Sequence, residues 1–378
     1  MTTLLRAAGL IDERGERAGA GGAWALIDGD VIRATGTGEA PDADATVDLG
    51  DATLAPGFVD IHVHGGGGHS VDGGAAELEG ALAAHRAHGT TRSMVSFVSA
   101  PLAELREGIA EVAELTTRDP RVLGSHLEGP FLAPARRGAH DESFLRHPDP
   151  ESVEGLIEAA AGTLRQVTLA PELPGGLEAI ARFADAGVVP AVGHTEADEQ
   201  TARAAFDAGA RVLTHAFNAM PGIGHRAPGP VVAAIDDERI TLELVLDGLH
   251  VHPHVAKLLW DAAPGRVALI TDAMSAAAEA DGDYRLGTLN VTVRDGLAVL
   301  SGTQTIAGST LTQDVALRQA IAMGAMPAAA IAALTTIPSR ALGIPGLGLL
   351  EPGYPADVVA LDGAWNVTGV WSLGERVE

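Results

Sequence analysis

The stretch PGFVDIHVHGGGGHS, Pro56 to Ser70, decides how the chain is read. An apolar, strand-like run from Phe58 to Val63 carries His62 and His64 and then meets four glycines, Gly65 to Gly68. Residues two apart on a strand share a face, so both imidazoles aim at one spot. A metal site, a phosphate loop and a buried polar pair without chemistry are the candidate explanations. The glycine run lacks the GK[ST] ending of a phosphate loop and the spacing of a dinucleotide fingerprint. It reads as a flexible turn that bends the chain away from crowded ligands.

Working outward, the middle of the chain alternates short apolar runs with helical stretches such as AELEGALAAHRAHG and ADEQTARAAFDAGA. That rhythm implies βα units around a parallel sheet. The strand candidates are GFVDIHVH, TRSMVSFVS, VLGSHLEGP, QVTLAPE, VVPAVGHT, RVLTHAFN, ITLELVLDGLH and VALITDAM. Eight such strands predict an α/β fold of the (β/α)8 TIM-barrel type. Both ends read differently, as short alternating runs broken by Gly and Asp. They are expected to form a small β-sandwich domain from residues 1–55 and 346–378. The barrel is expected over residues 56–345, with a β-hairpin insertion near 284–302.

Composition narrows the function. The chain has 378 residues, 46% of them hydrophobic, so a large core is easily buried. Its formal net charge of −25 repels nucleic acid and anionic membranes. With no cysteine, disulfides, thiolate ligands and a cysteine nucleophile are excluded. The N-terminus lacks the apolar stretch of a signal peptide, and no run is long enough to cross a membrane. A soluble cytoplasmic protein is the default.

Six of the eight strand candidates end in an ionisable residue. The first carries His62 and His64, the third Glu128, the fifth His194, the sixth His215, the seventh His250 and the eighth Asp272. The C-terminal ends of barrel strands form the active face, so these residues converge. One histidine at a strand end is usually structural; six strands repeating the accident is not a reasonable alternative. His, Glu and Asp without Cys suit Zn²⁺ or another divalent transition metal. Such an ion lowers the pKa of a water towards ~7 and polarises a carbonyl. Asp272, on the last strand, suits the general base that moves the water's proton to the leaving group.

An HxH on the first strand, histidines on strands five and six and an aspartate on strand eight resemble the amidohydrolase superfamily. The motifs PGFVDIHVHG, HLEGPFL, RRGAH, VGHTEA, THAFNAMPG, HRAPGP, DGLHVHP, TDAM, AGSTLT and PADVVALD extend over nearly the whole chain. Together they resemble the N-acetylglucosamine-6-phosphate deacetylase branch. The single lysine, Lys257, lies outside strand four. The carbamylated-lysine bridge of dihydropyrimidinase-like enzymes therefore cannot form, and the resemblance to the deacetylase branch implies that Glu128 takes its place.

The resemblance implies that Glu128, His194 and His215 hold the main ion and that His62 and His64 provide for a second. One or two divalent ions per chain are expected, zinc first, with iron, cobalt or manganese as alternatives. It also implies that His140 polarises the acetyl carbonyl and that His250 and the backbone amides of Asn218 and Ala219 contact the sugar. Arg226, helped by His225, is expected to hold the substrate phosphate across a homodimer interface. Arg136 and Arg137 stand where the branch often has lysine before its GAH motif. The expected reaction is hydrolysis of N-acetylglucosamine 6-phosphate to glucosamine 6-phosphate and acetate, in amino-sugar catabolism. Rivals are a deacetylase of the galactosamine epimer, a cyclic-amide hydrolase and a non-catalytic sugar-phosphate-binding barrel. His69, His85, His88, His147, His252 and His254 are expected to be structural or exposed.

Overall fold

Phe58–Asp60 pairs in parallel with Thr90–Phe97, and this pairing starts a ladder that runs through eight strands. The others, in order, are Val122–Glu128, Leu164–Leu169, Val189–Val192, Val212–Leu213, Thr241–Val245 and Val267–Ile270. This is a computed structural model, and it describes residues 1–377. Parallel neighbours need a crossover, and helices supply it. They span Ala75–Ala87, Leu102–Thr116, Pro150–Ala159, Gly176–Asp185, Glu199–Ala208, Gly229–Asp236 and Pro253–Ala262. Local chemistry starts two of them. The Asp149 and Asp198 side chains accept from the backbone N–H of Ser152 at 2.9 Å and of Thr201 at 2.8 Å, satisfying donors that a helix start leaves free.

The ladder closes where the first and last strands meet. Asp272 donates its N–H to the His62 carbonyl at 2.9 Å, and His64 donates to the Ala273 carbonyl at 2.8 Å. Thr271 Oγ1 adds a bond of 2.6 Å to the Asp60 carboxylate. The result is the TIM barrel expected from the strand rhythm, with fully buried Phe58, Phe131, Phe183 and Phe206 in its core. The first strand is shorter than expected: His62 and His64 lie beyond Asp60, on the segment that seals the barrel.

The termini build one hydrogen-bonded eight-stranded sheet. Its order is Glu375–Arg376, Val367–Ser372, Val358–Leu361, Thr53–Pro56, Thr2–Asp12, Gly15–Asp28 and Val31–Thr37, with Ala45–Asp48 also pairing Thr2–Asp12. Leu5, Ala7 and Leu10 all reach the same apolar cluster, although strict alternation would turn Leu10 away. A register shift between Ala7 and Gly9 resets the alternation. Ile11 then joins the barrel core, so one strand serves both cores. Arg92 on the second barrel strand meets Asp357 of the terminal sheet at 2.5 Å, both buried.

The segment expected as a hairpin carries a third strand. Asp283–Leu286, Leu289–Arg294 and Leu297–Leu300 form an antiparallel meander. The extra reversal is at Asp295–Gly296, where both residues have positive φ, 51° and 75°, as a tight Asp-Gly hairpin turn demands. No helix among the described residues is long and apolar enough to cross a membrane.

Candidate active site

The barrel mouth brings the strand-end residues together. Glu128 is the centre. Its Oε1 lies 3.1 Å from His194 Nε2, 3.0 Å from His215 Nε2 and 3.4 Å from His62 Nε2. Its Oε2 lies 3.3 Å from His64 Nε2 and 3.3 Å from His140 Nε2. Asp272 Oδ1 stands 3.3 Å from His64 Nε2 and 3.5 Å from His62 Nε2. Two ligand sets therefore share one carboxylate: His62, His64, Glu128 and Asp272, and Glu128, His194 and His215. All are buried.

This set fits a divalent metal ion. It contains only nitrogen and oxygen donors, and donors held about 2.0–2.1 Å from a tetrahedral ion stand about 3.3 Å apart. His194 donates its Nδ1–H to the Arg136 carbonyl at 2.8 Å, so its Nε2 keeps a lone pair aimed at the cluster. That lone pair faces His215 Nε2 at 3.0 Å. Imidazole nitrogens this close can share a proton or, with the Glu128 carboxylate beside them, ligate one divalent ion.

The backbone is bent to this purpose. His194, His215 and Asp272 have φ of 47°, 28° and 49°, and Phe217 and Ala219 in the turn after His215 have 79° and 50°. Side chains other than glycine disfavour this region by about 1–3 kcal/mol each. The strand ladders end at Val192, Leu213 and Ile270, two residues before His194, His215 and Asp272. Five of the ten non-glycine residues with positive φ among the described residues lie here, where side chains must swing over the mouth.

Electrostatics follow from the crowding. Burial alone would raise the Glu128 carboxyl, but His62 and His194 beside it hold it well below the usual carboxylate range. Asp272 is lowered in the same way, against burial, by His62 and His64. Burial disfavours charge on His64, yet the Asp272 and Glu128 carboxylates raise it to about 9. At His194 burial wins over Glu128 and brings the imidazole to about 4.

His140, Asn218, Ala219 and His250 line the same cavity of about 400 Å³, together with Val98, Leu286 and Ile306. His250 donates from Nδ1 to Asp247 at 2.7 Å. The structure does not bring His225 or Arg226 there: both are exposed and neither lines the cavity. His252 and His254 also stay outside, at the exposed start of a helix, where the His252 side chain accepts from the His254 N–H at 3.2 Å.

The glycine run is not the flexible turn expected. Gly65–Gly66 pairs with His69–Ser70, and Gly67 and Gly68 donate to the carbonyls of Ala277 and Ser275 at 2.7 and 2.8 Å. A Cβ on Gly65 would stand 2.7 Å from the Ser275 nitrogen. Close approach, not mobility, requires glycine there.

Two residues of the site escaped the reading of the sequence. His126 shares the Glu128 face of its strand, bonds Ser96 Oγ at 3.0 Å and Thr168 Oγ1 at 2.9 Å, and stands edge-on to His62. Glu243, fully buried on the seventh strand, lies 3.2 Å from His62 Nδ1. A lone carboxylate in the apolar run ITLELVL was the available signal.

Comparison with known proteins agrees with this geometry. The pattern of the amidohydrolase family matches residues 53–377. N-acetylgalactosamine-6-phosphate deacetylase of Escherichia coli O157:H7 is 41% identical over 328 residues, covering 85% of this chain and 87% of its own. N-acetylglucosamine-6-phosphate deacetylase of Vibrio furnissii is 35% identical over 352 residues, covering 89% and 85%. The crystal structure of N-acetyl-D-glucosamine-6-phosphate deacetylase from Mycobacterium smegmatis superimposes with a TM-score of 0.94 at 43% identity, covering 100% of both chains. The shared barrel, the motifs along its strand ends and these identities lead to one conclusion: the chain belongs to the amidohydrolase family, in the branch of the amino-sugar-6-phosphate deacetylases.

Proposed function

We propose that this chain is a metal-dependent deacetylase that hydrolyses N-acetylglucosamine 6-phosphate to glucosamine 6-phosphate and acetate. The observation that carries it is that His140, Asp272 and the Glu128-centred cluster line one cavity with Asn218, Ala219 and His250. Glu128, His194 and His215 hold the main ion, zinc being the first choice for this donor set, and His62 and His64 serve a second. The bound metal supplies a nucleophilic water and Lewis-acid polarisation of the acetyl carbonyl.

The chain's own groups do the rest. Asp272, kept ionised by the imidazoles beside it, takes the proton of the attacking water and returns it to the departing amine. His140 donates a hydrogen bond to the acetyl oxygen as negative charge develops there. The backbone amides of Asn218 and Ala219 and the His250 ring orient the sugar. Arg226, with His225, supplies the phosphate contact from the second subunit of a homodimer, which fits their exposure outside the cavity of their own chain. A phosphorylated sugar substrate suits a cytoplasmic enzyme.

The second reading is the C4 epimer, N-acetylgalactosamine 6-phosphate, favoured by the Escherichia relative. The test is acetate release from metal-stripped protein after zinc or another divalent ion is restored. The substrates are both epimeric 6-phosphates and unphosphorylated N-acetylglucosamine. Release from N-acetylglucosamine 6-phosphate, dependent on metal and at least tenfold faster than from the others, is expected. No release from any substrate with any metal overturns the proposal. Asp272→Asn is expected to retain substrate binding and to lose about 10²–10⁴ in rate. A non-catalytic barrel would show no turnover to lose.

A further inference from the structure

A second cavity, of about 510 Å³, adjoins the catalytic one, and Val98 lines both. The first turn of the insertion divides between them. Leu286 lines the catalytic cavity, and Gly287 and Thr288, which follow it, line the second. Ser99 lines the second cavity and donates its N–H at 3.1 Å to His140, which lines the first. One layer of side chains therefore separates the two. Val98 and Leu286 pack into one apolar cluster with Ala139. A Cβ on Gly287 would stand 3.0 Å from Val98 Cγ2, so the turn lies directly against Val98. Thr288 Oγ1 donates to the Asp141 carboxylate at 3.3 Å and ties the turn to the segment that carries His140.

The substrate amide supplies the chemistry for this wall. Its carbonyl carbon carries an oxygen, a nitrogen and a methyl group. On the deacetylase reading the oxygen meets His140, and the nitrogen leads to the sugar at Asn218, Ala219 and His250. The methyl group remains, and it gains most from apolar surface. Val98, Ala139 and Leu286 are the apolar surface beside His140. Beyond them the second cavity offers Phe97 and Phe144, while the exposed carboxylates of Glu104, Glu107 and Glu111 stand along it.

We propose that Val98 and Leu286 set the acyl length this chain accepts: they hold the acetyl methyl group and bar a longer acyl chain from the second cavity. The proposal rests on the deacetylase reading and deepens it. With the wall thinned, a neutral chain of three or four carbons extends past Val98 onto Phe97 and Phe144. A chain ending in a carboxylate meets the field of three glutamates and stays out.

The test is kcat/KM of the full-length, metal-restored protein for N-acetyl-, N-butanoyl- and N-succinyl-glucosamine 6-phosphate, read as free amine released. Wild type is expected to prefer acetyl over butanoyl by about a hundredfold or more, since each methylene that does not fit costs about tenfold to two-hundredfold. Leu286→Ala is expected to raise the butanoyl value about tenfold to a hundredfold, to lower the acetyl value by about tenfold or less, and to leave succinyl unimproved. An unchanged butanoyl-to-acetyl ratio overturns the proposal and leaves the deacetylase reading intact. So does a wild type that cleaves butanoyl within threefold of acetyl, or a variant that gains succinyl as much as butanoyl. No release from any substrate by wild type overturns both. Should Leu286→Ala fail to fold, Val98→Ala thins the same wall at a half-buried position. The ratio is then expected to shift about threefold to tenfold towards butanoyl, and no shift overturns the proposal.

Discussion

Ser99 donates its backbone N–H to Nδ1 of His140 at 3.1 Å, and its hydroxyl lies 3.0 Å from the same nitrogen. A ring nitrogen that accepts from an amide cannot carry the proton, so the neutral His140 ring bears it on Nε2. That N–H points at the cluster, 3.3 Å from Glu128 Oε2. His140 is thereby held as a donor rather than a base. His140→Asn is expected to lower kcat about 10²–10³-fold, with KM changed less than threefold. Steady-state kinetics in restored metal checks it. An equal fall in kcat and rise in KM would mean that the ring binds substrate and does not act on the developing charge.

Arg226 is exposed and lies outside the cavity of its own chain. Arg226→Ala is expected to raise KM for the 6-phosphate by about tenfold to a hundredfold, the worth of a charge-assisted hydrogen bond. The unphosphorylated sugar should be unaffected. Mixing Arg226→Ala with Asp272→Asn under subunit exchange should recover part of the lost activity, since one site of a mixed dimer keeps both groups. No recovery, with exchange demonstrated, places the phosphate contact within one chain.

The Arg92–Asp357 pair joins barrel and terminal sheet from buried positions. Burial pushes the Asp357 carboxyl up despite the guanidinium beside it. Asp357 also accepts from the Leu373 N–H at 2.9 Å. Asp357→Ala leaves an unpaired buried cation and is expected to cost about 3–5 kcal/mol in denaturant unfolding. Adding Arg92→Met should restore most of that, because desolvation offsets much of the pair's attraction. A double variant as unstable as the single one would contradict this.

His85, buried on the first barrel helix, donates from Nε2 to the Gly65 carbonyl at 2.8 Å and leaves Nδ1 without a partner. Burial lowers its imidazole to about 4. The unfolded chain takes up the proton near pH 6.5, the folded chain only near pH 4. Its contribution is therefore whole above pH 6.5 and declines as pH falls towards 4, by up to about 3 kcal/mol. His85→Gln keeps a donor for Gly65 without a titrating group. The metal-free variant should lose less stability than metal-free wild type between pH 7 and pH 4.5. Parallel losses in urea unfolding would refute the assignment.

Much of the barrel was legible because the eighth apolar run, VALITDAM, has the same texture and spacing as the first. Period-two patterning is local, and the strand-end residues follow from it. What lay between strands was less accessible. Glu243 reads in isolation as an oddity of an apolar run, and only the closed barrel puts it beneath His62, far away in sequence. His126 was hidden by its neighbour Glu128, since alternation marks a face without saying which member of it reaches the mouth. The glycine run misled for a related reason: glycine permits motion and close approach alike, and Ser275, which makes the approach, lies on the far side of the barrel seam. The third strand of the insertion turned on Asp295–Gly296, a signal present in RDGLAV but absorbed into a single hairpin.

The seal between the first and last strands also has a temporal side. Asp60 and Thr271 are 211 residues apart, and the cluster straddles their junction, with His62 and His64 on one side and Asp272 on the other. A ribosome delivers the first histidines long before their partner aspartate. During that interval the growing sheet has an open edge and an incomplete set of ligands. The set of His62, His64, Glu128 and Asp272 is therefore complete only after the eighth strand has emerged, and an interrupted chain is a candidate for chaperones rather than a weak enzyme.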